Sequence, residues 1–122
     1  RMGMGPYYAT SKLFKTEGLT LKDIDLIEMN EAFSVQVLAN LKAFPSKRYA
    51  ASRGFDAPLG EIDESILNVN GGAVALGHPV GMTGTRLVIH LLKELRRRNK
   101  ERGLATLCIG GGQGATLLLE VV

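Results

Sequence analysis

Two chemically reactive residues lie next to glycines in the C-terminal half of the chain. His78 stands in the run Gly77-His78-Pro79, and Cys108, the only cysteine, is followed closely by the run Gly110-Gly111-Gly112-Gln113-Gly114. Glycine lets the backbone approach a ligand closely. A histidine and a thiol in one pocket can transfer protons and control the formation of a thiolate. The two residues therefore indicate a site for acyl transfer or for chemistry on a carbon acid.

Composition and charge restrict the class of protein. The 122 residues make up one domain or part of one. The basic run Arg96-Arg97-Arg98 has no interleaved aromatic residues, which argues against nucleic acid as a partner. We interpret this run as a solvated helix end, with contact to an anionic ligand as the alternative. No apolar run approaches the roughly 20 residues of a membrane-spanning helix. A single cysteine fits a reducing compartment.

Helix and strand signals alternate along the chain and predict an α/β layered fold. Helices are predicted over about residues 6–17, 31–44 and 81–98. Strands are predicted over residues 24–29, 66–70, 104–109 and 115–122, the last two as an antiparallel hairpin. Thr20 and Asp23 have the spacing of a capping box, and residues 45–65 predict a long loop.

The predicted order of elements is α-β-α-β-α-β-β, which begins with a helix. Parallel sheets of this kind usually place a strand before their first crossover helix. We therefore expect the first strand of the fold to be missing from this chain.

Polar or glycine residues follow three of the predicted strands. These segments are Asn30-Glu31, residues 71–81 and residues 110–114. In open α/β sheets, ligands bind beyond the carboxyl ends of the strands. The convergence of three such loops predicts a site at this edge.

Each of these residues also has a simpler structural interpretation. Asn30 can cap the following helix, and Glu31 can favour that helix's dipole. His78 can be a buried, hydrogen-bonded histidine, and Cys108 a small core residue. The glycines can form a tight hairpin turn, whereas a nucleotide-binding loop is disfavoured because no helix follows them. The second histidine, His90, is interpreted as a packing or surface residue of the third helix.

The motifs together resemble the C-terminal half of a thiolase. The matching segments are Met2-Gly3-Met4-Gly5-Pro6, Asn30-Glu31-Ala32-Phe33, Asn70-Gly71-Gly72, Gly77-His78-Pro79-Val80-Gly81 with Gly84 and Arg86, and Cys108-Ile109-Gly110-Gly111-Gly112. They occur in the family's order and cover nearly the whole chain. The related ketoacyl synthases carry a second histidine where Cys108 stands. The resemblance implies a mixed sheet layered with helices over residues 1–122, as the thiolase C-terminal domain.

The resemblance also implies a division of catalytic roles. Thiolases cleave 3-ketoacyl-CoA with CoA, or condense two acyl-CoA molecules by Claisen chemistry. His78 resembles the histidine that activates a nucleophilic cysteine, and Asn30 the residue that anchors a water beside it. Cys108 resembles the acid/base cysteine that exchanges a proton with the α-carbon. The backbone N–H of Gly110 is our candidate donor to the developing oxyanion.

The resemblance further implies what surrounds this chain. Ala32 and Phe33 are expected to line the path of the pantetheine arm. Coenzyme A thioesters are expected as substrates, with no resident cofactor and no metal. The family's nucleophilic cysteine belongs to the N-terminal half, so we expect that half as a partner and no activity from this chain alone. A homo-oligomer of the full-length protein is expected, in the cytoplasm, or in mitochondria or peroxisomes of a eukaryote.

Two questions stay open at the level of sequence. The excursion over residues 45–65 resembles thiolases of fatty-acid β-oxidation and lipid metabolism more than short-chain acetyl-CoA acetyltransferases, although it can also be a surface insertion without bearing on substrate length. A second class of function is a non-catalytic thiolase-like subunit or binding module that pairs with a separate chain.

Overall fold

The computed structural model describes residues 3–121, as helices layered on a small mixed sheet. The α-helices are α1 (Gly5–Glu17), α2 (Ser34–Ala43), α3 (Lys47–Ser52), α4 (Ala73–Leu76) and α5 (Val80–Arg98). The strands are β1 (Leu26–Met29), β2 (Arg102–Gly110) and β3 (Gln113–Glu120). Single 3₁₀ turns occur at Leu21–Asp23 and Glu64–Ile66. Met2 and Val122, which belong to predicted segments, lie outside the described residues.

The described sheet has the order β1-β2-β3. Strand β1 pairs with β2 in parallel, and β2 pairs with β3 as the predicted antiparallel hairpin. All four residues of β1 are buried, as expected for a parallel strand covered on both faces. The predicted mixed α/β fold is therefore confirmed.

One helix layer lies on each face of the sheet. On one face, Tyr7 and Phe14 of α1 pack with Met29 and Leu104 in the larger core cluster. On the other, leucines of α5 at helical spacing pack against the sheet, namely Leu87, Leu91 and Leu95 with Leu26 and Ala105. Among residues 3–121, no helix is long and apolar enough to cross a membrane.

The strand predicted over residues 66–70 is wrong. Only one isolated parallel bridge forms there, between Leu67 and Ile27. Asn68 has a φ of 46°, in the left-handed region, so the chain turns away from the edge of β1. Its side chain then takes over the pairing, because Oδ1 accepts from the Met29 N–H at 2.8 Å and Nδ2 donates to the Met29 carbonyl at 2.9 Å.

The segment predicted as a long loop over residues 45–65 is also partly wrong, since it contains α3. Ser46 caps this helix by accepting a hydrogen bond from the Tyr49 N–H at 3.0 Å. The Tyr49 ring meets the Tyr7 ring edge-on, with centroids 4.9 Å apart. Ala50 and Ile62 are buried. This segment is thus part of the packed core rather than an excursion from it.

Helix α2 begins later than its prediction from about residue 31. Phe33 occupies the position before the helix in an extended conformation, so Asn30 does not cap α2. Residues 30–33 therefore connect β1 to α2 outside any helix, at the end of the strand where the site is predicted. The predicted capping box is confirmed: Asp23 Oδ2 accepts from the Thr20 N–H at 2.7 Å.

Candidate active site

A cavity of about 610 Å³ opens where β1 and the parallel β2 end. Ala32 and Phe33 line it from the segment after β1, and Cys108 and Gly110 line it from the end of β2. His78 lines it from the loop before α5. The predicted convergence of three loops is confirmed, although the middle loop follows an irregular segment and not a strand.

Asn30 lies directly behind the histidine. Its side chain is fully buried, and its backbone N–H donates to the Thr106 carbonyl at 2.9 Å, which continues the pairing of β1 with β2. Its Nδ2 lies 3.4 Å from His78 Nε2. An amide nitrogen is always a donor, so Nε2 is the acceptor in this contact.

The other ring nitrogen of His78 defines the same tautomer independently. Nδ1 lies 2.7 Å from Thr83 Oγ1, while that hydroxyl donates its single proton to the Pro79 carbonyl at 3.1 Å. Thr83 therefore accepts, and His78 Nδ1 carries the hydrogen. Nε2 therefore carries no hydrogen, and its lone pair, which accepts the long contact from Asn30, is in the protonation state that a general base needs.

Glu31 binds α4, the short helix that directly precedes the loop carrying His78. Its Oε2 accepts from the Val74 N–H at 2.9 Å, and its Oε1 accepts from Asn68 Nδ2 at 3.2 Å. A Cβ atom on Gly72 would collide with this carboxylate. The interpretation that Glu31 serves the dipole of α2 is wrong, because its partner is the first turn of α4, across the site.

The hairpin of β2 and β3 forms the wall of the cavity that contains Cys108. Cys108 is a half-buried free thiol. Gly110 ends β2, and Gly111 and Gly112 form the turn; all three have positive φ, a conformation that favours glycine. Gly114 lies so close to the start of α1 that a Cβ atom there would collide with the Gly5 backbone.

The rim of the cavity is apolar and open. Phe33, Val35, Val80 and Ile109 are each between 60% and 81% exposed, although large apolar side chains favour burial. Contiguous apolar surface of this kind indicates a binding surface for a ligand or another protein segment.

Comparison with known proteins shows to which family this chain belongs. Residues 1–121 match the family described as thiolase, C-terminal domain. The chain belongs to the thiolase family. It is 50% identical over 121 residues to a 3-ketoacyl-CoA thiolase of Shewanella loihica, an alignment that covers 98% of this chain and 28% of the relative.

Solved thiolase structures have the same fold. The Bacillus anthracis acetyl-CoA acetyltransferase superposes with a TM-score of 0.82 at 40% identity, over 99% of this chain and 27% of that chain. Human mitochondrial 3-ketoacyl-CoA thiolase superposes with a TM-score of 0.80 at 45% identity and equal coverage, and that enzyme has also been solved in complex with CoA. The chain thus spans about 28% of the length of the thiolases it matches.

The structure brings the residues predicted from the thiolase resemblance to one place. His78, Cys108, Gly110, Ala32 and Phe33 line the cavity, whereas Asn30 contacts His78 from behind it. Their catalytic and binding roles stay predictions. His90 lies outside the cavity, in the middle of α5. Residues 3–121 contain no group of three or more His, Cys, Asp or Glu side chains that could hold a metal ion.

Two site residues were missed by sequence reasoning. Thr83 is fully buried and orients the histidine, and its position one helical turn after Pro79 was the available signal. Gln36 lines the cavity and is 6% exposed, yet neither Oε1 nor Nε2 has a partner within residues 3–121. Nothing in the sequence distinguishes Gln36 from the other polar residues of α2.

Proposed function

We propose that this chain supplies the C-terminal part of the active site of an acyl-CoA C-acyltransferase. The enzyme cleaves 3-ketoacyl-CoA with CoA or condenses two acyl-CoA molecules. The observation that carries this proposal is His78, whose Nε2 is unprotonated and which lines the same cavity as Cys108. A base and a second proton-transfer group at one apolar cavity are what this chemistry needs.

In the proposed reaction, His78 Nε2 takes the proton from a cysteine thiol supplied by the N-terminal part of the enzyme. The resulting thiolate attacks the 3-keto carbon, the bond between C2 and C3 breaks, and the acyl group stays on that cysteine as a thioester until CoA accepts it. The Cys108 thiol then donates a proton to the α-carbon of the departing enolate. In the condensing direction, Cys108 instead removes that proton.

The oxyanions of this reaction require fixed donors. Gly110 lines the cavity, and its N–H is the proposed donor to one oxyanion, while protonated His78 supplies another. The buried Asn30 Oδ1 has no partner within residues 3–121, which supports its proposed role in anchoring a water. No resident cofactor is needed, since CoA thioesters are the substrates.

The proposed partner is the N-terminal part of a thiolase, which the relatives carry in the remaining length of their chains. The exposed apolar side chains at the cavity rim support this assignment, because a covering segment would remove them from water. Assembly of the complete enzyme into a homo-oligomer, its localisation and its role in fatty-acid β-oxidation are proposed on the resemblance alone.

The test joins this chain to the N-terminal part of the Shewanella loihica relative and measures thiolysis of a 3-ketoacyl-CoA. We expect activity from the fusion and none from this chain alone. His78→Asn or Cys108→Ala in the fusion should lower kcat by about 10²–10⁴-fold, whereas His90→Asn should leave it unchanged. Thiolysis by the isolated chain would overturn the division of roles. A folded but inactive fusion would favour the binding-module interpretation.

A further inference from the structure

A buried asparagine of α2 joins the first turn of α1 to the wall of the cavity. Asn40 is fully buried. Its Nδ2 donates to the carbonyls of Gly3 and Gln36, both at 2.8 Å, and its Oδ1 accepts from the Tyr7 N–H at 3.1 Å. Both of its donor hydrogens and its acceptor oxygen are therefore used, and a carboxamide bound in this way has one fixed orientation.

These bonds supply the cap that α1 does not provide for itself. Met4 occupies the cap position of α1, and its side chain makes no capping hydrogen bond. Tyr7 is the third residue of the helix, and its N–H is one of the first four, which have no partner within a helix. A capping side chain accepts from this same position in most helices, so Asn40 caps α1 from the neighbouring helix.

The first turn of α1 lies against the hairpin that carries Cys108. A Cβ atom on Gly5 would collide with the carbonyl of Gln113, and one on Gly114 would collide with the Gly5 backbone. Gly114 stands directly opposite Cys108 in the register of β2 and β3. Opposed residues of an antiparallel pair project from the same face of the sheet, so the Cys108 side chain lies on the face where Gly5 packs.

The packing along β2 agrees with this placement. Side chains two residues apart share one face of a strand, which puts Leu104, Thr106 and Cys108 together. Leu104 packs with residues of α1 in the larger core cluster. Thr116, opposite Thr106, places its hydroxyl oxygen 2.8 Å from Thr106 Oγ1 and 3.2 Å from Thr10 Oγ1 of α1. Helix α1 thus lies on the face of β2 from which Cys108 projects.

We propose that Asn40 is a positioning residue for the Cys108 thiol. The regular pairing of β2 with β3 ends at Cys108, because the register shifts between Cys108 and Gly110. The contact of Gly5 with Gly114 supports this end of the strand, and Asn40 holds the turn that makes the contact. Asn40 does not line the cavity and acts through α1. Its importance for catalysis rests on the proposed function, but its effect on the thiol does not.

The test measures how fast iodoacetamide alkylates Cys108 in the folded chain, followed by mass spectrometry. Cys108 is the only cysteine, so the rate reports on one thiol. Asn40→Leu removes all three hydrogen bonds at similar volume and should raise the rate by about threefold, because the first turn of α1 is no longer held against the hairpin. Asn40→Asp keeps the acceptor for the Tyr7 N–H and should alkylate more slowly than Asn40→Leu.

Gly3→Ala disturbs the same contact without changing Asn40, and it decides the question where Asn40→Leu fails to fold. The new Cβ would collide with the Gln36 side chain, and the φ of 97° at Gly3 disfavours alanine. This variant should also raise the alkylation rate, and adding it to Asn40→Leu should give no further increase. Gly18→Ala is the matched control, because it has a φ of 67° at the opposite end of α1, where the described residues leave the new Cβ in open space.

A readout on the other side of the cavity separates positioning from a general loosening of the fold. Thr83 and Asn30 contact the two ring nitrogens of His78, and neither contact involves α1 or α2. The Nδ1–H tautomer of His78, measured by ¹⁵N NMR, should therefore remain as in wild type when Asn40 is replaced. A mixed tautomer in Asn40→Leu would contradict the proposal.

The alkylation rates decide the outcome. Equal rates for wild type and folded Asn40→Leu or Gly3→Ala would overturn the proposal, as would an equal increase in Gly18→Ala. Neither alkylation nor the tautomer depends on turnover, so failure here leaves the proposed thiolase function standing, and an inactive fusion leaves this result standing. In an active fusion, Asn40→Leu should lower kcat by about fivefold and change KM less, because Cys108 acts after the substrate has bound.

Discussion

The hydroxyl of Thr83 lies 2.7 Å from Nδ1 of His78 and donates its own proton to the Pro79 carbonyl. A buried threonine thus determines which nitrogen of the histidine carries the hydrogen. Because Pro79 directly follows His78, the loop and the first turn of α5 orient the ring together. The absence of a hydrogen on Nε2 follows from this contact.

Replacing Thr83 by valine should therefore disorder the histidine without changing the volume of the core. Thr83→Val loses both hydrogen bonds, so we expect a loss of about 1–2 kcal/mol in the free energy of unfolding and a mixed His78 tautomer. Urea denaturation and imidazole ¹⁵N shifts measure the two effects. Thr83→Ser should retain the tautomer, and Thr85→Val, at an exposed position of the same helix, should change neither. A wild-type tautomer in Thr83→Val would contradict this account.

Replacing Gly72 by alanine should break the hydrogen bonds by which Glu31 holds the segment before His78. The new Cβ would displace the Glu31 carboxylate, which two hydrogen bonds hold in place. We expect a loss of about 1–3 kcal/mol on thermal or urea unfolding. In a Glu31→Ala background the same change should cost much less, which a double-mutant cycle measures. Gly81→Ala, on an open face of α5, should be neutral or stabilising by up to about 1 kcal/mol.

The parts of the fold that were predictable from sequence are those that local pattern determines. Helix α5 follows from leucines at helical spacing, and the hairpin of β2 and β3 follows from two apolar runs separated by glycines. The site was predictable as a meeting of loops because parallel strands end at one edge. The thiolase resemblance then provided the roles of its residues.

The parts that were not predictable depend on partners distant in sequence. Glu31 precedes α2, so local reasoning assigns it to that helix, whereas its backbone partner is Val74, 43 positions away. Asn68 stands in an apolar run typical of a strand, yet its side chain replaces the strand's own pairing with Met29. In both cases a tertiary contact outweighs the local preference.

Substitution of Asn68 should therefore lower the free energy of unfolding, and alanine should lower it more than glycine. Asn68→Ala leaves the buried N–H and carbonyl of Met29 without these partners and places alanine at positive φ, so we expect a loss of about 2–4 kcal/mol. Asn68→Gly removes the strain and should cost about 1 kcal/mol less. Asn99, with a φ of 52° at the exposed end of α5, is the control, since Asn99→Ala and Asn99→Gly should differ by the strain alone. Equal unfolding midpoints for Asn68→Ala and wild type would exclude the pairing role.

The free energy of unfolding should depend on pH because Glu28 is buried. Burial raises its pKa from the ordinary value of 4.5 to about 7, so between these values the folded chain binds more protons than the unfolded chain. The free energy of unfolding should fall as the pH rises through this window, by about 3 kcal/mol in total, and Glu28 should add no further change above it. Glu28→Gln should remove this slope, which urea denaturation at a series of pH values measures.

Glu94 provides a control of opposite sign on the facing helix. Hydrogen bonds from Arg97, Asn70 and Arg98 hold its pKa below the ordinary range, so its stabilisation is present above the unfolded pKa and is lost as the pH falls. Glu94→Gln should therefore be less stable than wild type at neutral pH and approach it in acid, with the slope from Glu28 retained. Parallel pH profiles for wild type and Glu28→Gln would instead show that folding does not shift the pKa of this carboxyl group.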